Sequence, residues 1–393
     1  MFSINRVSFI FNFRRLKLMS SALPYKKGLH SIDPYIPGKR LEEVMKELGL
    51  RKVIKLASNE NPLGCSPRVT EAAAAVLQSP SRYPDGGSSE LKAELSRLTG
   101  LGPQQFVIGA GSFELIAFVA ETFIGPGDEA IMPTPSFSWY GTVTKLQEGR
   151  IIQVPLIAHH VDLDAIKREI TDKTRVIWLC NPNNPTGTIF TEGQLSRFLK
   201  DIPSSIVIAM DEAYCDFVTG GQGYPDTLNW IGQYPNLIVL RTFSKIYGLA
   251  SLRIGYAAAS EETADYMNRC RQIFNVNAVA QASALAGLKD AGFRERVYEN
   301  NRQGKEYFYK AFGELGLDYI PTEASFIMVH TGQDSETLYQ QLLKEGVIIR
   351  PGAAYGMQEW LRVSIGTMEE NRIFIEALHK VLKAPEAAGS SKG

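Results

Sequence analysis

Short apolar runs alternate with amphipathic segments from residue 53 onward, and the pattern changes character near residue 270. The runs at 52–58, 105–110, 129–133, 175–180, 205–211, 237–243 and 254–259 are β-branched or apolar and bounded by Gly, Pro or Asn. Such short, continuously apolar runs predict buried strands. Between them, 68–78, 88–98 and 112–123 carry apolar residues at helical spacing. The segment 112–123 follows a glycine turn, with Ser112 placed to cap it, and stops before Gly125-Pro126-Gly127. Strand and helix in strict alternation predict an α/β domain around a mostly parallel sheet. After residue 270 a long helical stretch at 295–315 gives way to strand-like runs at 326–330, 347–350 and 360–366, then a closing helix at 369–383. This predicts a second, smaller α+β unit.

At 393 residues the chain is long enough for two domains. The expected division is a disordered N-terminal extension at 1–32, an arm at 33–58 that joins the small domain, a large domain at 59–270, a small domain at 271–384 and a disordered tail at 385–393. The first 32 residues hold no Asp or Glu but six Arg and Lys. That is the composition of a transit peptide; the plainer expectation is an upstream translated extension, with Met19 as the biological start.

Composition narrows the function classes. Forty-two basic residues balance forty-two acidic ones, so bulk charge gives no case for nucleic acid or an anionic membrane. The longest apolar run near the N-terminus, 7–13, is too short to span a bilayer. Four scattered cysteines form no CxxC pair, and His159-His160 has no ligand spacing, so no metal site is expected. The cysteine usage fits a reduced, cytoplasmic protein.

The chemistry concentrates in three motifs, each directly after a strand-like run: NPNNPTG (181–187), MDEAY (210–214) and TFSKIYGLASLRIG (242–255). The third places Lys245, two hydroxyls (Thr242, Ser244) and Arg253 in one short segment at the position where an α/β sheet opens its ligand crevice. A lysine able to form a Schiff base, an acid for a ring nitrogen and an arginine for a phosphate are what pyridoxal phosphate requires of a protein.

In this order the motifs resemble the fold type I aminotransferases, and the flanking residues resemble the histidinol-phosphate branch of that class II family. The resemblance covers roughly residues 30–383. It implies a large domain with a mostly parallel seven-stranded sheet between helices, a smaller α+β domain, and pyridoxal 5'-phosphate as cofactor. Lys245 would hold the cofactor and act as the base. Asp211 would pair with its ring nitrogen, and Asn184 and Tyr214 would reach its phenolate oxygen. Thr242, Ser244, Arg253 and the turn Gly111-Ser112-Phe113 would hold its phosphate end. Phe137 would stack on the ring, with Trp139 and Tyr140 as competing candidates. Tyr83, in YPDG, would complete the site of a partner subunit, which makes a homodimer. Tyr35, Asn59, Asn184, Arg350 and Arg362 would contact substrate; two arginines suit a dianionic phosphate better than one carboxylate.

The implied activity is transfer of an amino group from a small-molecule donor to a 2-oxo acid, in histidine biosynthesis. An aromatic amino-acid aminotransferase remains the alternative, followed by a phosphothreonine-type decarboxylase and a non-catalytic binding protein.

Overall fold

A computed structural model describes residues 23–34, 39–220 and 223–383. Tyr35, residues 1–22 and the tail from 384 lie outside the described residues. The expected disorder of the extension is corrected at its end: Lys27–Ser31 forms a 3-10 turn near α5 (Trp139–Leu146), where the Lys145 Nζ donates to the Ser31 carbonyl at 3.5 Å.

The first strand, β1 (Ile54–Lys55), stands apart from the main sheet. The main sheet has seven strands: β2 (Phe106–Gly109), β3 (Glu129–Thr134), β4 (Arg150–Pro155), β5 (Thr174–Cys180), β6 (Val207–Asp211), β7 (Leu237–Thr242) and β8 (Gly255–Ala258). Their order is β2-β8-β7-β6-β5-β3-β4; β8 runs antiparallel to both its neighbours and all other pairs are parallel. The smaller unit carries a second, antiparallel sheet of β9 (Tyr319–Ile320), β10 (Phe326–His330), β12 (Arg350–Pro351) and β13 (Trp360–Ser364). The expected run at 347–350 is split: β11 (Val347–Ile348) instead pairs in parallel with β1.

The count of seven strands holds, but their membership differs from the sequence reading. The apolar run at 52–58 contributes β1 to the smaller unit, and the seventh strand is β4. β4 is an edge strand whose residues are mostly exposed or half-buried, so it lacks the continuous apolar signature of a central strand. The interior strands β5 and β6 are buried almost throughout, as their sequences demand.

Helices α2 (Pro67–Leu77), α3 (Ser89–Thr99) and α4 (Ser112–Phe123) fall within a residue of their expected spans. The cap of α4 is a correction: Gly111, at φ 81°, occupies the cap position, and Ser112 is already helical. A left-handed backbone there excludes most side chains. Two apolar clusters cover the faces of the main sheet, and a third fills the smaller unit around Phe308, Phe312 and Phe374. Among the described residues, no helix is long and apolar enough to cross a membrane, and no group of His, Cys, Asp and Glu could hold a metal ion.

Candidate active site

The parallel strands β5, β6 and β7 end side by side, and the three motifs follow them directly. Because side chains at strand ends are held by the hydrogen-bonded ladder behind them, this edge is the rigid floor of a crevice. A cavity of about 210 Å³ opens there, lined among others by Ser112, Phe113, Phe137, Cys180, Asn184 and Asp211, with Tyr214, Thr242, Ser244, Lys245 and Arg253 completing its wall. An adjoining space of about 720 Å³ extends toward the smaller unit and adds Asn59, Arg350 and Arg362. Residues from positions 59 to 362 therefore meet in one place.

At the base, the Lys245 Nζ donates to the carbonyls of Ser58 (3.2 Å) and Asn59 (3.1 Å) and lies 5.3 Å from the centre of the Tyr214 ring. Removal from water, aided by the positive charges of Arg362 and Arg253, lowers its pKa to about 8. About a tenth of the amine is therefore neutral and nucleophilic at pH 7, far more than for a lysine at its ordinary pKa.

Across from it, Asp211 accepts the Tyr140 hydroxyl at 2.7 Å and the Ala213 N–H at 3.1 Å. Burial drives its pKa up to about 6, against the pull of these two donors. The sequence offered Tyr140 as a ring-stacking candidate. The structure corrects this: Tyr140 is fully buried, stacked on Trp178 at 5.2 Å, with its hydroxyl spent on Asp211. Trp139 is occupied differently, its indole N–H donating to the Phe113 carbonyl. Phe137 lines the cavity, edge-on to Phe113 and Tyr140.

At the other end, Thr242 donates to the Ser244 hydroxyl at 3.0 Å and accepts the Ser244 N–H. Arg253 sits in the left-handed region at φ 56°, a conformation that costs a non-glycine residue roughly 1 kcal/mol or more. Its guanidinium approaches so closely that a Cβ on Gly111 would lie 2.3 Å from Nη2. A Cβ on Gly255 would lie 3.1 Å from the Ser112 backbone nitrogen. Two glycines thus keep open a cradle made of an arginine, two hydroxyls and the N-terminus of α4. Unpaired N–H groups of a first helical turn, a guanidinium and hydroxyls form an anion site of the kind that takes a phosphate. The donor set fits a phosphate-bearing cofactor with a basic ring nitrogen.

On the side of the smaller unit, Arg362 is buried; its Nη1 donates to Asn184 Oδ1 and its Nη2 to the Ala57 carbonyl, both at 2.7 Å. It lies over the rings of Phe326 and Tyr355. Arg350 stands beside it as the cross-strand neighbour on β12, which explains how two arginines twelve residues apart converge. Asn59, at φ 54°, donates through Nδ2 to the Tyr214 hydroxyl at 2.9 Å. Ser364, which the sequence reading did not single out, bonds Asn59 twice at 2.8 Å. No local motif marks this serine, because the contact joins positions 305 residues apart. Tyr83 stacks on Phe274 with ring centres 4.7 Å apart, is 82% exposed, and is not among the residues lining this chain's cavity.

With fold and site defined, the chain belongs to the class I and II aminotransferases, a family whose pattern it matches over residues 51–378. Within that family it is similar to the histidinol-phosphate aminotransferase of Caldicellulosiruptor saccharolyticus, 48% identical across 91% of this chain and 100% of the relative. It is also similar to that of Moorella thermoacetica, 46% identical across 91% and 92%. Among solved structures, histidinol-phosphate aminotransferase from Sinorhizobium meliloti in complex with pyridoxal-5'-phosphate superposes with a TM-score of 0.85 at 25% identity. That match covers 93% of this chain and 99% of the other.

Proposed function

We propose that this chain is a pyridoxal-phosphate-dependent transaminase that passes the amino group of L-histidinol phosphate to 2-oxoglutarate. The products are imidazole-acetol phosphate and L-glutamate, within histidine biosynthesis. The observation that carries the reading is a depressed lysine and a buried acid facing one cavity, in a chain whose relatives of that activity align over nine-tenths of its length.

Lys245 would hold the cofactor, Thr242, Ser244, Arg253 and the Gly111-Ser112-Phe113 turn its phosphate, and Asp211 its ring nitrogen. Phe137 would cover the ring, and Asn184 and Tyr214 would donate to its phenolate oxygen. When bound, the cofactor supplies an electron sink for the negative charge left at the substrate carbon that carries the amino group. The protein's own part follows from its side chains. The Lys245 Nζ, in the neutral form that desolvation makes more accessible, takes the proton from that carbon and later returns it. Asp211 stays anionic opposite a positive ring nitrogen, which relieves the cost of burying it. Arg362 and Arg350 place two positive charges in the outer cavity, where they would clamp the substrate phosphate; Asn59 would add a further contact, as would Tyr35, which lies outside the described residues.

The same reading divides the chain into a cofactor-binding unit at 59–270 and a smaller unit at 271–384, joined by the arm at 33–58. It makes the enzyme a cytoplasmic homodimer in which Tyr83 reaches the partner's phosphate cradle. The high exposure of Tyr83 supports that role. Mixing Lys245→Ala chains with chains silenced at Tyr83 should restore activity in hybrids; no recovery would return Tyr83 to its own chain.

The substrate is tested by side-by-side turnover of histidinol phosphate and phenylalanine with 2-oxoglutarate. A higher kcat/KM for histidinol phosphate is expected. Preference for phenylalanine would overturn the assignment while leaving the class intact.

A further inference from the structure

Tyr214 can act as a hydrogen-bond donor to the cavity only if its single hydroxyl proton is not used elsewhere. A phenol has one proton and accepts through its lone pairs, so the answer lies in what its other neighbour presents. That neighbour is Asn59, and an amide can turn either its oxygen or its nitrogen toward the phenol. With the oxygen facing it, Tyr214 would donate to Asn59 and show the cavity only an acceptor. With the nitrogen facing it, the phenol accepts from Asn59 and its own proton points elsewhere.

Ser364 decides between these. Its hydroxyl oxygen accepts the Asn59 backbone N–H at 2.8 Å, so that lone pair is committed. Its one proton is donated to Asn59 Oδ1, again at 2.8 Å; with the amide reversed the hydroxyl would accept twice and its proton would find no acceptor among the described residues. With Oδ1 held by a donor, Nδ2 is the face left for Tyr214, and the distance is 2.9 Å. Asn59 and Ser364 are 2% and 3% exposed, so water does not compete for these groups. The left-handed backbone at Asn59 brings its N–H and its side-chain oxygen round to the same hydroxyl. We propose that Ser364 is a positioning residue: through Asn59 it fixes the polarity of Tyr214, so that the phenol presents its proton to the cavity. The inference rests on the proposed function, because the oxygen that would receive this proton belongs to the bound cofactor.

β13 does this job from the smaller unit, since Arg362 and Ser364 are two residues apart and share one face of the strand. Arg362 engages Asn184 Oδ1 and so leaves the Asn184 amide nitrogen as the group available for donation. One strand thereby sets two donors, Tyr214 and Asn184, that line the same cavity from the other unit.

The test is a double-mutant cycle of Ser364→Ala and Tyr214→Phe in the full-length protein. It is read by two measurements: pyridoxal phosphate affinity of the resolved protein, and the pH midpoint of the visible absorption of the holoenzyme. Each single change is expected to weaken cofactor binding about tenfold, the loss of one hydrogen bond to a charged acceptor. The double variant should fall within about twofold of Tyr214→Phe alone, because Ser364 acts through that phenol. Ser364→Cys keeps a donor of similar size; it should recover part of the affinity and pH midpoint and guards against a packing defect in Ser364→Ala. Multiplicative losses in the double variant, or an unshifted midpoint in Ser364→Ala, would overturn the inference. If the unaltered protein takes up no pyridoxal phosphate, the function reading itself fails and this inference with it.

Discussion

Two carboxylates stand next to each other at the end of β6, both almost completely buried, and the protein treats them in opposite ways. Glu212 faces away from the cavity. It receives the Arg241 Nε at 3.0 Å and Nη2 at 2.8 Å, and the Thr227 hydroxyl on its other oxygen. Its charge is balanced inside the protein. Asp211 faces the cavity and has only neutral donors, a phenol and a backbone N–H. Burial raises the pKa of both, but only Glu212 has a cation hydrogen-bonded to it to pull it back. A buried carboxylate costs several kcal/mol unless paired, so an unpaired one implies a partner that arrives from outside. One side of the strand is finished by folding, and the other is completed by binding. Pairing, more than burial, separates a structural acid from a functional one.

That contrast can be broken experimentally, and the largest effect should come from the cavity side. Lys245→Ala removes the amine opposite Asp211; turnover should drop by about 10⁴-fold or more with the fold intact by circular dichroism. Normal cycling of amino donor and 2-oxo acid would end the assignment.

Asp211→Asn keeps the shape but deletes the charge. It should reduce kcat by roughly a hundred- to a thousandfold while cofactor affinity falls much less. Equal, small losses in both would make Asp211 no different from its neighbour.

Glu212→Gln should show the reverse. Leaving Arg241 uncompensated is expected to destabilise the fold by about 3 kcal/mol, seen in urea unfolding, with kcat of the surviving folded enzyme changed little. A variant as stable as the parent would remove the distinction between the two faces.

Tyr140→Phe tests whether the phenol helps keep Asp211 ionised. Its hydrogen bond lowers the Asp211 pKa, so its loss should move the acid limb of cofactor binding upward by about one pH unit. An unmoved limb would confine Tyr140 to packing.

The smallest effect concerns stability without cofactor. The Asp211 pKa is raised from 3.8 to about 6 in the folded chain. Its favourable contribution is therefore complete below the lower value and lost as pH rises through the higher one. Asp211→Asn should accordingly gain in Tm relative to the parent as pH rises from about 3.8 to about 6, and hold that gain above it. Parallel Tm curves would mean that Asp211 is already paired without the cofactor.

The legible part of the site was the part encoded in short segments. Asn184, Asp211, Lys245 and Arg253 each lie within a few residues of a strand whose apolar run is unmistakable, so the motif and its location were read together. The two adjacent acids show where this stops. The segment MDEAY singles out Asp211 only through its likeness to a family; nothing in it says that Glu212 is paired with Arg241 on another strand. Tyr140 was read as a stacking candidate for the same reason, since a helix pattern does not reveal which turn lies under β6. The exposed edge strand β4 escaped because its residues lack a continuous apolar pattern, while the apolar run at 52–58 joined the smaller unit instead.

The sequence by itself determined the α/β alternation and the chemistry carried after β5, β6 and β7, because these depend on local periodicity and on residues close in the chain. Only the tertiary structure decided which strands are neighbours, that Arg350 and Arg362 stand side by side, and that Ser364 holds Asn59 against Tyr214. Those contacts join residues up to 305 positions apart. Their direction is set by strand register and backbone conformation, and both are fixed only when the two units pack together.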